Sequence, residues 1–335
     1  MAERADLGHQ LPDTVALYAF QGAQPHSAAK RFKRAAYSND SAPRLLDFRL
    51  VYDRALGNCY TFNFAQQPVR HWAGRGGSAF GLQILLHAEV EEYMCTSQSA
   101  GFRLAIHAQG EAAFPQNDGL YIAPGKNTFV QLTKFQTAKL SKPFGDCVET
   151  ADSEYLYNGS YTVEGCLRSC QQQFLTQRCA CSDPRIQPAH NATECPLAAK
   201  RCLDAAMGCL NNGSHCAHCR LPCRGNTYLR TQSAAHLHST TLEHMCGFLD
   251  TDSLRSTCQN ASQRARNFAL VSIFFERLDH MVLWEMPGYT TAQLLSDVAG
   301  LMGILLGPSV ITLIEFFFLS AILCTYAVSG GARQE

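Results

Sequence analysis

The residues of this chain best suited to chemistry are its 16 cysteines, eleven of which fall between Cys147 and Cys223. In an oxidising compartment such a density becomes a disulfide framework, and a cytosolic enzyme seldom carries it. Thiolates can also hold zinc, and Cys216-Ala217-His218-Cys219 has the C-x2-C spacing for it, with His215 and Cys223 close by. Zinc clusters of this kind favour reducing compartments. Five Asn-X-Ser/Thr triplets, at Asn39, Asn158, Asn191, Asn212 and Asn260, share the polar part of the chain as glycan acceptors. Cysteine density and sequons together place that part outside the cell, with no metal expected.

The second chemically interesting group lies in an apolar run. Val298 to Cys324 is 27 residues with Glu315 as the only charge, where about 20 apolar residues suffice to cross a bilayer. Ser296, Gly300, Gly303 and Gly307 recur at three or four residues, a stripe of small side chains suited to helix packing or to lining a conduit. Pro308 lacks a backbone donor, so a helix is expected to break near Gly307 and free carbonyls that a membrane tolerates only in protein or facing water. A glutamate at that depth is costly in lipid and faces a cavity or a partner. Enzyme chemistry has no comparable footing. The sequence contains no Gly-x-Ser-x-Gly elbow, no His-Glu-x-x-His and no phosphate loop, and His236, His238 and His244 are read as loop histidines.

These groups need a scaffold. The 335 residues balance 28 Lys+Arg against 28 Asp+Glu, which removes the positive footprint of a nucleic-acid binder. Such a length allows one large domain or two smaller ones with real cores. Residues 1–45 are polar, with the basic cluster from Lys30 to Arg34 read as a solvated loop. Short β-type runs are expected from Tyr60 to Phe64, Arg103 to His107 and Thr128 to Leu132, and a strand or short helix from Gly81 to Tyr93. A helical pattern is expected from Tyr161 to Leu175, then a buried strand from Phe268 to Phe275. Cys166 and Cys170 are four apart and Cys216 and Cys219 three apart, which puts each pair on one face of its own helix, so two antiparallel helices could be laced together. Met1-Ala-Glu-Arg-Ala-Asp6 shows no apolar signal segment and nothing before Val298 reaches spanning length, so the chain is expected to be a fragment. A single-pass cysteine-rich receptor or adhesion protein also fits these features.

Five motifs occur in order: Gly57-Asn-Cys-Tyr-Thr-Phe-Asn63, Gly101-Phe-Arg-Leu-Ala-Ile-His107, Phe144-Gly-Asp-Cys147, Leu221-Pro-Cys223 and Leu306-Gly-Pro-Ser-Val-Ile-Thr-Leu-Ile-Glu315. On them the chain resembles the epithelial sodium channel, degenerin and acid-sensing ion channel family, over roughly residues 45 to 324. The resemblance implies an α+β, disulfide-rich extracellular domain at 46–290, with a β-core palm and a laced helical thumb at 147–223. It implies a second transmembrane helix at 291–326, broken near a Gly-X-Ser filter, and a short cytoplasmic tail at 327–335. The implied protein is a subunit of a sodium-selective, amiloride-blocked homo- or hetero-trimeric channel in the plasma membrane, with Na⁺ as permeant ion and no cofactor. The family's first membrane helix is missing from this chain, which keeps a non-conducting truncated subunit as an alternative.

Matching the family pattern implies nested bridges Cys147 to Cys223, Cys166 to Cys219, Cys170 to Cys216, Cys179 to Cys202 and Cys181 to Cys195. Cys59 is then an orphan, because its family partner follows the first membrane helix, while Cys95, Cys209, Cys246 and Cys258 could form two further bridges. The resemblance places Gly307, Pro308 and Ser309 at the selectivity filter, where backbone carbonyls and a hydroxyl replace part of the sodium hydration shell. Pro308 stands where the family usually has a small non-proline residue. Glu315 matches the family's membrane glutamate, and Ser296 and Asp297, with Gly300 and Gly303, match the gate and pore lining. Asp204 keeps one position of the acidic cluster that senses protons in acid-sensing members, whereas Gly208 and Lys134 stand where acids would, so proton gating is not expected.

Overall fold

The computed structural model describes residues 15–21, 48–53, 56–66, 70–95, 97–150, 152–188, 192–212, 215–249, 252–307 and 310–331. The basic cluster at 30–34, the sequons at Asn39 and Asn191, the filter positions Pro308 and Ser309 and the tail residues 332–335 lie outside them. The chain divides into two units, Met1–Trp284 and Glu285–Glu335.

The first unit opens with β1 (Val15–Gln21), the hairpin strands β2 (Phe48–Asp53) and β3 (Gly57–Phe62), and β4 (Gly81–His87). A short pair follows, β5 (Phe102–Leu104) and β6 (Leu120–Ile122), with the one-turn helix α1 (Pro115–Asp118) between them. Next come the long strand β7 (Lys126–Ala138), helices α2 (Val163–Cys179) and α3 (Lys200–Asn212), and the long strand β8 (Arg224–His236). Three short helices, α4 (Ser239–Cys246), α5 (Asp252–Gln259) and α6 (Ala261–Asn267), lead into β9 (Phe268–Trp284).

Five strands form one sheet in the order β1-β4-β9-β7-β8, with all neighbours antiparallel except β7 and β9. β9 lies at its centre, which explains why Phe268-Ala-Leu-Val-Ser272 does not alternate: a strand covered on both faces has no solvent side. Phe268 and Leu270 enter a core with Leu85, Leu242, Met245, Leu249 and Leu254, beneath α4 and α5. Ala269 and Val271 point the opposite way, against Ile122, Val130 and Leu132. At the start of β4, Gly81 takes φ +134, and a Cβ there would run into the Ile273 carbonyl oxygen of β9, so only glycine lets the two backbones meet.

The folded chain departs from several sequence expectations. The N-terminal stretch read as polar contains β1, whose Val15 and Ala16 are buried and whose backbone pairs with β4, covering an edge that would otherwise expose unpaired N–H and C=O groups. β5 stops at Leu104, short of the run from Arg103 to His107, because its partner β6 offers only Leu120–Ile122 after the end of α1 at Asp118. β7 and β9 are longer than expected because they pair with each other as far as Ala138 opposite Trp284, and β8 flanks β7 over its whole length. The segment from Gly81 to Tyr93 is a strand and then a 3-10 turn at Val90–Glu92. His236 ends β8 and His244 lies in the last turn of α4, so neither is a loop histidine, whereas His238 precedes α4 with its Nδ1 2.7 Å from the Thr240 hydroxyl.

The second unit holds α7 (Thr291–Leu306) and α8 (Val310–Gly331). Thr290 and Gln293 start α7 with reciprocal side-chain to backbone bonds, a capping box. The helix stops at Leu306, where Gly307 takes φ +66 and donates its N–H to the Gly303 carbonyl at 3.1 Å, a left-handed terminus that suits glycine. Among the described residues no helix is long and apolar enough to cross a membrane.

Candidate functional site

Two groups of residues stand out, one in each unit. The first is the block carrying the bridges Cys147–Cys223, Cys166–Cys219, Cys170–Cys216, Cys179–Cys202 and Cys181–Cys195. Thr162 caps α2, its hydroxyl accepting from the Gly165 N–H at 3.1 Å, and the helical period then sets Cys166 and Cys170 one turn apart on the same face. Their partners are not on a second helix, contrary to the reading from spacing alone. α3 ends at Asn212, with Gly213 next in sequence, and Cys216 and Cys219 lie in the turn that follows, the Cys219 N–H donating to the Cys216 carbonyl at 3.1 Å. Two rungs therefore join helix to turn, and Cys179–Cys202 ties α2 to α3.

The same geometry overturns the zinc reading. Cys216, Cys219 and Cys223 each belong to a different bridge. His218 lies within 4.8 Å of the sulfurs of Cys166 and Cys219, but those sulfurs are bonded to each other and offer no thiolate. A sixth bridge joins Cys246 to Cys258, whereas Cys95 and Cys209 are exposed free thiols, so one further bridge forms and not two. Cys95 follows the 3-10 turn after β4 and Cys209 sits on the exposed side of α3, on separate parts of the unit. Cys59 on β3 is also a free thiol. Burial, and then the Asp53 carboxylate, push it up to about 11 against a hydrogen bond with the Asp53 backbone, so it is protonated and unreactive at neutral pH.

Hydrogen bonds stitch both ends of the block. At its base the Val148 N–H donates to Leu221 and the Cys223 N–H to Val148, each at 2.9 Å, and Lys139 donates to Cys223 at 2.7 Å. At the far end Gln172, fully buried on α2, clamps the loop after the helix: its Oε1 accepts from the Asp183 N–H at 3.1 Å and its Nε2 donates to the Asp183 carbonyl at 3.2 Å. The Asp183 carboxylate in turn accepts from the Arg185 N–H and guanidinium, at 2.9 to 3.1 Å.

Burial by itself would raise the Asp183 pKa, but the hydrogen bonds and charge of Arg185 outweigh it and hold the carboxyl below its usual range. A carboxylate depressed in this way stabilises the fold fully above its unfolded pKa of about 4, and loses that contribution as pH falls through the lower folded value. Asp183→Asn is therefore expected to flatten the fall in melting temperature between about pH 5 and pH 2, measured on disulfide-intact protein. An acid limb identical in both proteins would exclude this role for Asp183.

Of the residues compared with the acidic cluster of acid-sensing members, Asp204 and Gly208 lie on exposed turns of α3 and Lys134 lies on β7. Among the sequons, Asn158 is exposed, Asn212 is the last residue of α3, and Asn260 is exposed and caps α6, its Oδ1 accepting from the Ser262 N–H at 3.1 Å.

The second group is in α7 and α8. Ser296, Gly300 and Gly303 share one face of α7, and Gly307 ends it. A Cβ added at Gly300, Gly303 or Gly307 would meet nothing within 4 Å, so the stripe is an open face within this unit. Asp297 accepts a hydrogen bond from the Tyr289 hydroxyl just before the helix. Glu315 lies exposed on α8, one turn into the helix, among Ile311, Ile314 and Phe316 to Phe318, which are also exposed.

A family model described as amiloride-sensitive sodium channel matches residues 6–319. The chain belongs to that family. It is 35% identical over 281 residues to degenerin mec-4 of Caenorhabditis briggsae, covering 82% of this chain and 36% of that protein. It is 31% identical over 296 residues to degenerin mec-10 of Caenorhabditis elegans, covering 86% of this chain and 40% of the relative. It is also 30% identical over 284 residues to the degenerin-like protein asic-1 of Caenorhabditis elegans, covering 81% of this chain. The chain thus spans 34% to 40% of the length of these relatives. Within the amiloride-sensitive sodium channel family, this chain contributes a disulfide-rich mixed α/β unit with six bridges. Sequence reasoning did not find the Gln172–Asp183 clamp or the pairing of Cys246 with Cys258, since neither a lone buried glutamine nor a twelve-residue cysteine spacing names its partner.

Proposed function

We propose that this chain is a subunit of a sodium-selective, amiloride-sensitive trimeric channel of the plasma membrane, alone or with other family subunits. In this reading the first unit is extracellular, bearing glycans on Asn39, Asn158, Asn191, Asn212 and Asn260, and α7 with α8 crosses the bilayer. The observation that carries it is the break at Gly307. A helix that stops in mid-run leaves its last carbonyls without helical donors, and inside a membrane such groups persist only in protein or facing water. Gly307, Pro308 and Ser309 then form the filter, presenting carbonyl and hydroxyl oxygens to Na⁺. Ser296 and Asp297 stand at the outer mouth, Gly300 and Gly303 line the approach, and Glu315 supplies the negative charge that favours cations. Family membership counts against the receptor or adhesion reading.

The test is a recording in oocytes with the chain co-expressed beside a full-length degenerin subunit. The expected result is an added, amiloride-blocked Na⁺ current whose single-channel conductance falls roughly fivefold with Glu315→Gln. A carboxylate about 8 Å from the ion at an effective dielectric of about 40 is worth about 1 kcal/mol, which sets that factor. A current indistinguishable from that of the partner alone, with the chain detected at the cell surface, overturns the proposal.

A further inference from the structure

The short helices α4 to α6 border an open groove of about 350 Å³ beside the buried Cys246–Cys258 bridge, well away in sequence from the laced block and from Gly307; Glu243, Gly247, Arg255 and Gln259 line it from the exposed side and Arg264 from the buried side. That volume is at the lower end of small-ligand sites and exceeds what a single ion needs. Its charged lining is Glu243, Arg255 and Arg264. Arg264 is more than nine-tenths buried and pairs with Glu243 at 2.8 Å, so these two charges offset each other. Arg255 has no ion-pair partner among the described residues, and its Nη2 is steered by a 2.7 Å bond to the Leu249 carbonyl. The lining is thus one positive charge in excess, and the carboxylate already present disfavours a dianion such as sulfate or phosphate. Two planar guanidiniums match the fork of a carboxylate, and the Gln259 amide adds a neutral donor.

Gly247 gives a second, independent sign. It lines the groove at φ −63, a backbone that any residue adopts, and an added Cβ would touch only the His244 carbonyl at 3.4 Å. Neither conformation nor crowding at the backbone calls for glycine there. Gly247 thus adds no side chain at the rim of the groove it lines.

We propose that this groove binds a small organic monocarboxylate, with Arg255 as its principal partner and Arg264 as the second. The test uses the full chain in detergent micelles, with benzoate as probe, its neutral isostere benzamide, and sodium chloride at matched ionic strength. Benzoate is expected to raise the melting midpoint along a saturable curve, while benzamide and chloride do not. Arg255→Gln is expected to shift half-saturation upward by about tenfold or more, the loss of a charge-assisted pair. Gly247→Leu, which keeps every charge and fills the space, is expected to lose the saturable response while its own melt remains cooperative. An equal response to chloride or benzamide, or a wild-type curve in either variant, overturns the assignment.

Discussion

Replacing Cys147 and Cys223 together by alanine is expected to lower the stability of the first unit by about 3.5 kcal/mol and its melting midpoint by about 6 °C. The bridge closes a loop of 76 residues. Taken alone, that loop would be worth about 4.5 kcal/mol of unfolded-chain entropy. The bridges are nested, however, and with Cys166–Cys219 intact the shortest path between the two sulfurs is about 25 residues, which reduces the term to about 3.5 kcal/mol. Loss should be local as well as global. The Val148–Leu221, Cys223–Val148 and Lys139–Cys223 backbone bonds lie beside this bridge, so their amides should exchange faster while the amides of α2, held by three inner bridges, should not. Calorimetry gives the first quantity and hydrogen exchange the second. An unchanged midpoint, or exchange that quickens uniformly along α2, would contradict the nested-ladder account.

The second large effect is on selectivity. In the proposed pore, Ser309→Cys is expected to reduce the Na⁺ over K⁺ permeability ratio by about two- to fivefold. A hydroxyl oxygen is a hard, compact ligand for Na⁺, while a thiol is larger and a weak acceptor, so each exchange forfeits on the order of 0.5 kcal/mol. In the co-expressed channel the loss scales with the number of subunits that carry the exchange, about twofold for one and about fivefold for two. Reversal potentials in Na⁺ and K⁺ solutions measure it, in the co-expressed channel described above. A conducting channel with an unchanged ratio sinks the filter assignment while leaving the stability prediction untouched.

Much of the fold was legible where a local pattern has a local cause. The apolar run starting at Phe268 marks a strand covered on both faces, the helical pattern from Tyr161 to Leu175 with its cysteine spacing marks α2, and the glycine and proline near 307 mark the end of α7. β1 was missed because its evidence is the β4 edge it covers, and α4 to α6 were missed because their few apolar residues face a core assembled from β4 and β9. The helix expected at Cys216 and Cys219 failed for the opposite reason. A spacing of three fits a turn as well as a helix, and α3 had already ended at Asn212.

Residue types and their order were enough to place the chain in its family, to mark the cysteine-dense block that becomes a disulfide framework, and to mark where the apolar run must break, because a proline's missing donor acts within a few residues. Which cysteines meet is another matter. A disulfide needs Cα atoms about 4.4 to 6.8 Å apart, and here that distance is reached by residues 12 to 76 positions apart in the chain. Spacing does not encode it: five of the pairings were implied by the family resemblance, and that of Cys246 with Cys258 is given only by the packing of the elements. The same holds for Asp183 beneath Gln172 and for the groove that brings Arg255 and Arg264 together, where each residue's role comes from a neighbour that only folding supplies.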